Sequence, residues 1–241
     1  MTDHPGVPLT PADLAASARA CVAAGATDLH VHPRDACGAQ SLGGPDVTAA
    51  VVAIREAVPG VPVGVSTLDT IAGGRTVDLV RQWPAPPVGP DFASVNWHEP
   101  AAPLLAAVLH DRRIGVEAGL FTAEAAVRFL AGGLPAVRVL VEAVPGVSPG
   151  EDGVAAARAV LAALGSPDPA DVVVHGEDAW AWPVLRWAAA EGWGIRAGLE
   201  DMLAGPDGEP VDGNGELVAY AVAVDRRASG RRRGNGRRAA S

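Results

Sequence analysis

From Thr10 onward the chain reads first with a helical period and then with a strand period. Thr10 suits an N-cap and Pro11 the first helical position, and "ADLAASARACVAAG" carries small and apolar residues to a terminating Gly25. "DLHVHP" follows at 28–33, short and apolar at alternate positions. The same exchange then repeats. Helical segments are predicted near 46–58, 74–83, 100–112, 122–131, 152–164, 179–191 and 216–227. Between them lie "VPVGVST", "FASVNW", "IGVEAG", "VRVLVEA", "DVVVHG" and "GIRAGLE", runs rich in β-branched residues and mostly followed by polar or Gly-containing loops. Short apolar runs separated by helices fit parallel strands buried on both faces.

The tally decides the architecture. Eight helical and seven strand segments are predicted, and the first is a helix. A (β/α)8 barrel has eight of each and starts with a strand. The expectation is therefore an α/β chain built as a TIM (β/α)8 barrel whose first strand is missing or degenerate. A doubly wound open sheet is the alternative, but it lacks a Gly-rich first turn. "AGGRT" at 72–76 reads as a turn into a helix rather than a phosphate loop.

On a barrel strand alternate residues point inward, and active sites gather at the C-terminal strand ends. His30 and His32 share parity at the end of their strand, so both face one place, as two imidazole ligands of a zinc ion must. A hydrogen-bonded pair of barrel histidines satisfies the same pattern. Two histidines leave a metal site incomplete, so a third ligand has to come from another strand end. "GIRAGLEDML", 194–203, offers Glu200 as that ligand, with Asp201 beside it as a free base and Arg196 at the parity of Glu200. Read alone, this acidic pair is equally a helix-capping loop.

The other strand ends are polar too: Ser66, Thr67 and Asp69, then Asn96 and His98, then Glu117, Glu142, His175 and Glu177. Any one of them can be a cap or a satisfied barrel group. Glu142 stands apart because apolar residues flank it and an unpaired barrel carboxylate costs several kcal/mol. Six tryptophans, four of them within 180–193, are expected to pack helices.

Composition narrows the chemistry further. There is no lysine, which removes Schiff-base, pyridoxal-phosphate and P-loop lysine mechanisms and leaves a metal as the obvious electrophile. Seven of the nineteen arginines crowd into 226–241, so residues 1–225 carry about −16 against a whole-chain −9 (28 acidic residues against 12 arginines). That acidic body argues against a specific nucleic-acid enzyme. The expected division is a catalytic barrel over 1–225 and an Arg-rich disordered tail over 226–241. No apolar run approaches the ~20 residues of a membrane helix, and "MTDHPGVPLT" is no signal peptide, so a cytoplasmic location is expected. Two cysteines make no disulfide scaffold: Cys21 is expected in the core and Cys37 as a loop thiol.

"AGATDLHVHPRDACG", "VGVSTLDT", "DFASVNWHE" and "GIRAGLEDML", in this order, resemble the beta-keto acid cleavage enzymes, the family of 3-keto-5-aminohexanoate cleavage enzyme. The pairing of HxHxRD with RxGLED is the most specific part. The resemblance implies a zinc-dependent TIM barrel, usually a homo-oligomer, that takes a small-molecule β-keto acid and acetyl-CoA to acetoacetate and a CoA thioester. It places His30, His32 and Glu200 as zinc ligands, Asp201 as general base and Arg196 as its partner. It puts Ser66 on a substrate-binding serine and Ser94 or Asn96 on a further contact; Glu142 joins these as a candidate from its apolar sequence neighbours.

Two departures are visible. Family members begin with a strand of the "CLNG" kind ahead of the "HPGVPLTP" segment, and "VNWHE" differs from the family's loop at that place. An open barrel would then leave a strand edge beside His30 and lack one site contact. Two other readings stay open: a metal-dependent hydrolase of the amidohydrolase kind, for which only His175 is a well-placed extra histidine, and a degenerate, non-catalytic barrel.

Overall fold

The computed structural model describes residues 4–165 and 167–238, with 231–238 as helix backbone only. It opens with helix α1 (Pro11–Ala24), capped as its sequence predicts. The Thr10 hydroxyl accepts from the Asp13 amide at 3.2 Å, and Asp13 accepts from the Thr10 amide at 3.0 Å. Gly25 closes the helix at φ 116°, a left-handed conformation that favours glycine.

Then follow β1 (Leu29–Val31), α2 (Gly44–Ala57), β2 (Val63–Ser66), α3 (Asp69–Ala72), α4 (Thr76–Val80), β3 (Phe92–Asn96), α5 (Ala102–Asp111), β4 (Gly115–Leu120), α6 (Ala123–Gly132) and β5 (Arg138–Ala143). The remainder is α7 (Gly153–Leu164), β6 (Val172–Gly176), α8 (Ala181–Glu191), β7 (Gly194–Ile195) and α9 (Asn214–Arg238). The strands form one parallel sheet in chain order, β1 to β7. The architecture is a TIM-barrel-like α/β fold one strand short of eight. Among the described residues, no helix is long and apolar enough to cross a membrane.

Two segments differ from expectation. The helix predicted at 74–83 is only the short α4 (Thr76–Val80), and an unpredicted turn, α3 (Asp69–Ala72), precedes it; Gly73 and Gly74, both at positive φ (58° and 83°), keep the two apart. "GIRAGLE" is a strand only over Gly194–Ile195. After that the chain turns, and the Asp201 and Met202 amides both donate to the Gly198 carbonyl. With a sheet neighbour on one side only, β7 has little to extend it. α9 runs unbroken across the 225/226 position where composition divides the chain, and residues 239–241 lie outside the described residues.

Strand register explains where side chains go. Ser66 pairs with Ser94, Ser94 with Glu117, Glu117 with Arg138, and Glu142 with His175. These residues share parity with His30 and Arg196, so one row of polar groups faces the interior. The opposite parity, including Val63, Val65, Ala93, Val95, Val141 and Val174, is fully buried against the helices. Each such valine contributes roughly 1.5–3 kcal/mol. Trp83 and Trp97 are fully buried, and Trp180, Trp187 and Trp193 pack against the same core. Cys21 is buried, as expected, and Cys37 exposed.

Among the described residues, β1 pairs only with β2, and β7 only with β6. Outside them the helices nevertheless meet. The Asn214 side-chain Nδ2 donates to the Ser17 hydroxyl at 3.2 Å, and Gly215 approaches Ala20 so closely that a Cβ there would lie 2.8 Å from the alanine's own. α1 and α9 therefore close the helical layer over a sheet that stays open.

Candidate metal centre and active site

His30 and His32 stand two residues apart at the end of β1, and Glu200 sits in the turn after β7. The two Nε2 atoms are 3.2 Å apart, Glu200 Oε1 is 3.1 Å from His32 Nε2, and Glu200 Oε2 is 3.8 Å from His30 Nε2. Two ligand atoms each ~2.0–2.1 Å from a tetrahedral zinc stand about 3.3–3.4 Å apart, so the trio is spaced for such an ion. Among the described residues these three form the group able to hold a metal.

Electrostatics favour the ligand forms for two of the three. Burial and then Arg196 push the pKa of His30 well below its ordinary 6.5, so its imidazole is neutral. Burial opposes the charge on Glu200, but Arg196 and His32 outweigh it and hold the carboxyl well below its usual range. Burial likewise opposes protonation of His32, yet Glu200 and Gln40 outweigh it and raise its pKa. A cation between the three would displace that proton.

The outer shell is unequal. His32 Nδ1 lies 2.6 Å from the Gln40 side-chain oxygen, which fixes the ring. Gln40 is delivered by the 33–41 loop, where Arg34 bridges to Gln40 and the Asp35 carboxylate accepts from the Cys37 and Ala39 amides. His30 Nδ1 instead points at Glu117 Oε1 from 3.8 Å, and neither atom has a hydrogen-bond partner. The other oxygen of Glu117 accepts from Arg138, which also reaches across the interior to Asp28. Burial raises the pKa of Glu117 although Arg138 opposes it.

Asp201 is buried and gripped from two sides. Arg196 donates to both its oxygens, through Nε at 3.2 Å and Nη2 at 2.9 Å, and also touches Glu200 at 2.7 Å. His175, fully buried on β6, lies 3.2 Å from Asp201 and 3.3 Å from Glu142. Burial and Arg196 disfavour its charge, but Asp201 and Glu142 prevail and push its pKa up to about 10. Arg196 is held above its ordinary range in the same way: burial opposes, and Asp201, Glu200 and Glu142 outweigh it. Glu177, after β6, is pushed up to about 7 by burial, with Asp201 and Glu142 adding repulsion against the pull of His175.

The structure thus brings His30, His32, Glu200, Arg196 and Asp201 together and links Glu142 to them through His175. Ser66, Ser94 and Asn96, all buried, line the arc of the interior formed by β2 and β3. Asn96 and Glu142 both crowd the space above Gly119, where a Cβ would lie 2.8 Å and 2.5 Å from their oxygens. Sequence reasoning missed Gln40, Arg138 and Asp28. Arg138 was within reach, since it shares parity with Glu142 on one strand; Gln40 carries no such signal, because loop geometry alone returns it to His32.

Fold and site together define a TIM-barrel-like protein with a metal-ready His-His-Glu set and a clamped carboxylate at the strand ends. A family model described as beta-keto acid cleavage enzyme matches residues 1–232, and the chain belongs to that family. Among solved structures it is similar to ObcA in a ternary complex with a C4-CoA adduct and oxalate, at 18% identity and TM-score 0.71, over 94% of this chain and 64% of that one. Apo ObcA matches at 18% identity and TM-score 0.68, over 89% and 61%. A rubisco-like protein from Burkholderia fungorum matches at 17% and 0.52, over 93% and 57%. The chain spans less than two thirds of the length of each, and at these identities the likeness shows the fold.

Proposed function

We propose that the protein is a zinc-dependent acyltransferase that takes a β-keto acid and acetyl-CoA to acetoacetate and the CoA thioester of the remaining acyl group. The observation that carries this reading is the convergence of His30, His32 and Glu200 beside an Asp201 that is not needed as a ligand. His30, His32 and Glu200 would hold the metal. Bound there, zinc supplies Lewis-acid stabilisation of negative charge on the keto oxygen.

Asp201 takes the proton from C2 of the β-keto acid, and Arg196, bidentate on its carboxylate, fixes the direction of the basic oxygens. C2 then attacks the thioester carbon of acetyl-CoA and CoA leaves as thiolate. That thiolate adds to the original keto carbon, the C2–C3 bond breaks with its electron pair on C2, and Asp201 returns its proton to C2 as acetoacetate and the acyl-CoA thioester form. Ser66, Ser94, Asn96 and Glu142 supply the polar wall on which the substrate is oriented.

The amidohydrolase-like alternative needs further histidine ligands. His175 is instead committed to Glu142 and Asp201 and stands outside the converging trio. The test is incubation of zinc-loaded protein with acetyl-CoA and a panel of β-keto acids. Acetoacetate appearing only when acetyl-CoA is present supports the proposal. Folded protein that retains no zinc, or that yields product without CoA, refutes it and leaves the hydrolase or the non-catalytic barrel.

A further inference from the structure

His175 is fully buried and has no part in the mechanism above. Backbone register places it, because Glu142 on β5 pairs directly with His175 on β6. The turn after β6 then fixes Asp201, whose carbonyl accepts from the Asp178 amide at 2.8 Å. One ring therefore stands between two carboxylates. Its Nε2 lies 3.3 Å from Glu142 Oε2, and its Nδ1 lies 3.2 Å from Asp201 Oδ1. A neutral imidazole has one donor and one acceptor, so either tautomer would set a lone pair against a carboxylate. With both nitrogens protonated, both contacts attract. Burial and Arg196 oppose that charge, and Asp201 and Glu142 outweigh them.

Stability alone does not account for such a ring. Buried ion pairs commonly give no net stabilisation over apolar side chains of similar volume. What the ring changes is the symmetry of Asp201. Arg196 gives each of its oxygens one bond, Nε to Oδ2 at 3.2 Å and Nη2 to Oδ1 at 2.9 Å. His175 makes its close approach to Oδ1, as a charge contact rather than an aligned hydrogen bond. Oδ1 thus faces two cationic groups where Oδ2 bonds to one. Positive charge lowers the basicity of the oxygen it faces, so Oδ2 is the better proton acceptor. Asp201 itself lines the interior cavity together with His30, Arg196 and Glu200.

We propose that His175, held by Glu142, is a positioning residue for Asp201: it engages Oδ1 and leaves Oδ2 as the oxygen that exchanges a proton with C2 of the substrate. In the forward step the C2–H bond breaks, its proton passes to Oδ2 and the electron pair stays on C2. The return step reverses this as acetoacetate forms. The assignment rests on the reading of Asp201 as the base, and not on which acyl group the β-keto acid carries.

The test is deuterium exchange into C2 of acetoacetate, followed by proton NMR in heavy water. The zinc-loaded full chain is used without acetyl-CoA, and the rate without protein is subtracted. Wild type is expected to catalyse the exchange and Asp201→Asn to abolish it. His175→Gln keeps an amide at the place of Nε2, facing Glu142, whereas His175→Asn keeps one at the place of Nδ1, facing Asp201. The glutamine variant is expected to lower the maximal rate about ten- to hundredfold, as a misplaced base does, with zinc content and KM unchanged. The asparagine variant is expected to be faster than the glutamine one by at least about threefold.

No exchange by wild type, or exchange that persists in Asp201→Asn, refutes Asp201 as the base and the proposal with it. With Asp201→Asn inactive, a wild-type rate in His175→Gln overturns the proposal alone. So does equal loss in both histidine variants, or a loss that released zinc or a raised KM explains. Should His175→Gln not fold, Glu142→Gln takes its place, since it removes the charge that holds the ring. A fall of at least about threefold is then expected, and an unchanged rate overturns the proposal.

Discussion

Replacing Gln40 by alanine isolates what the outer shell does for the metal. Its side-chain oxygen lies 2.6 Å from His32 Nδ1, eight residues away along the chain. The loop that carries it is held independently, by the Ser41 amide on the Pro33 carbonyl at 2.8 Å and by Asp35 under Cys37 and Ala39. The loop backbone should therefore survive the substitution while the imidazole loses its orientation. Outer-shell partners of metal-binding histidines are worth ~10–100-fold in affinity. A neutral amide acceptor belongs in the lower part of that range, about ten- to thirty-fold, or ~1.4–2 kcal/mol. Competition against a chromogenic zinc chelator at neutral pH measures it. Gln40→Glu provides the control, since a carboxylate is the stronger acceptor and should bind zinc at least as tightly as wild type. An alanine variant within about threefold of wild type refutes the reasoning; so does a glutamate variant weaker than the alanine one.

Wild type is expected to lose stability in urea titrations between pH 6.5 and about 10, and His175→Gln should flatten that fall. The raised pKa of His175 gives stability that is fully present below its ordinary 6.5 and lost as pH rises through about 10. Glu177→Gln should raise Tm above pH 7 and leave it unchanged below 4.5. The fold favours the neutral carboxyl, and that contribution disappears as pH rises through about 7. Arg138→Met leaves Glu117 buried without its guanidinium and should lower unfolding free energy by ~3–5 kcal/mol, with part recovered in the double variant carrying Glu117→Gln. Gly119→Ala should lose ~1–3 kcal/mol by the same measurement, because its methyl enters the space held by Glu142 and Asn96.

Much of this was legible in the residues for reasons that can be named. The Thr10 cap, Pro11 and Gly25 fix α1 through local chemistry, and six of the seven strands announce themselves by β-branched runs between helices. Parity then carried His30 and His32 to one face without any knowledge of the partner strand. The shortness of β7 was not legible, because "GIRAGLE" has the composition of a strand and only the lack of a second neighbour ends it at Ile195. His175 reads as a polar strand end; that it bridges Glu142 and Asp201 depends on register between β5 and β6 and on a turn 25 residues further on. The Asp28–Arg138–Glu117 network joins residues 110 positions apart, which no local pattern records.

The placement of the ligands gives the open seam between β1 and β7 a meaning for the candidate site. His30 and His32 belong to one unpaired edge, and Arg196, Glu200 and Asp201 follow the other, so the candidate site is assembled across the gap in the sheet. Outside the barrel α1 and α9 hold those edges in place by close packing at Gly215 and Ala20. Inside, the three ligand atoms already approach within 4.8 Å of one another with no backbone bond between their strands. An ion held by all three would tie the edges together much as ladder hydrogen bonds tie β2 to β3. Its binding free energy, ~2.7 kcal/mol at a hundredfold excess over Kd, would then appear as stability of the seam itself. Metal binding and closure of the sheet would in this sense be one equilibrium, and the residues that report on the first would also report on the second.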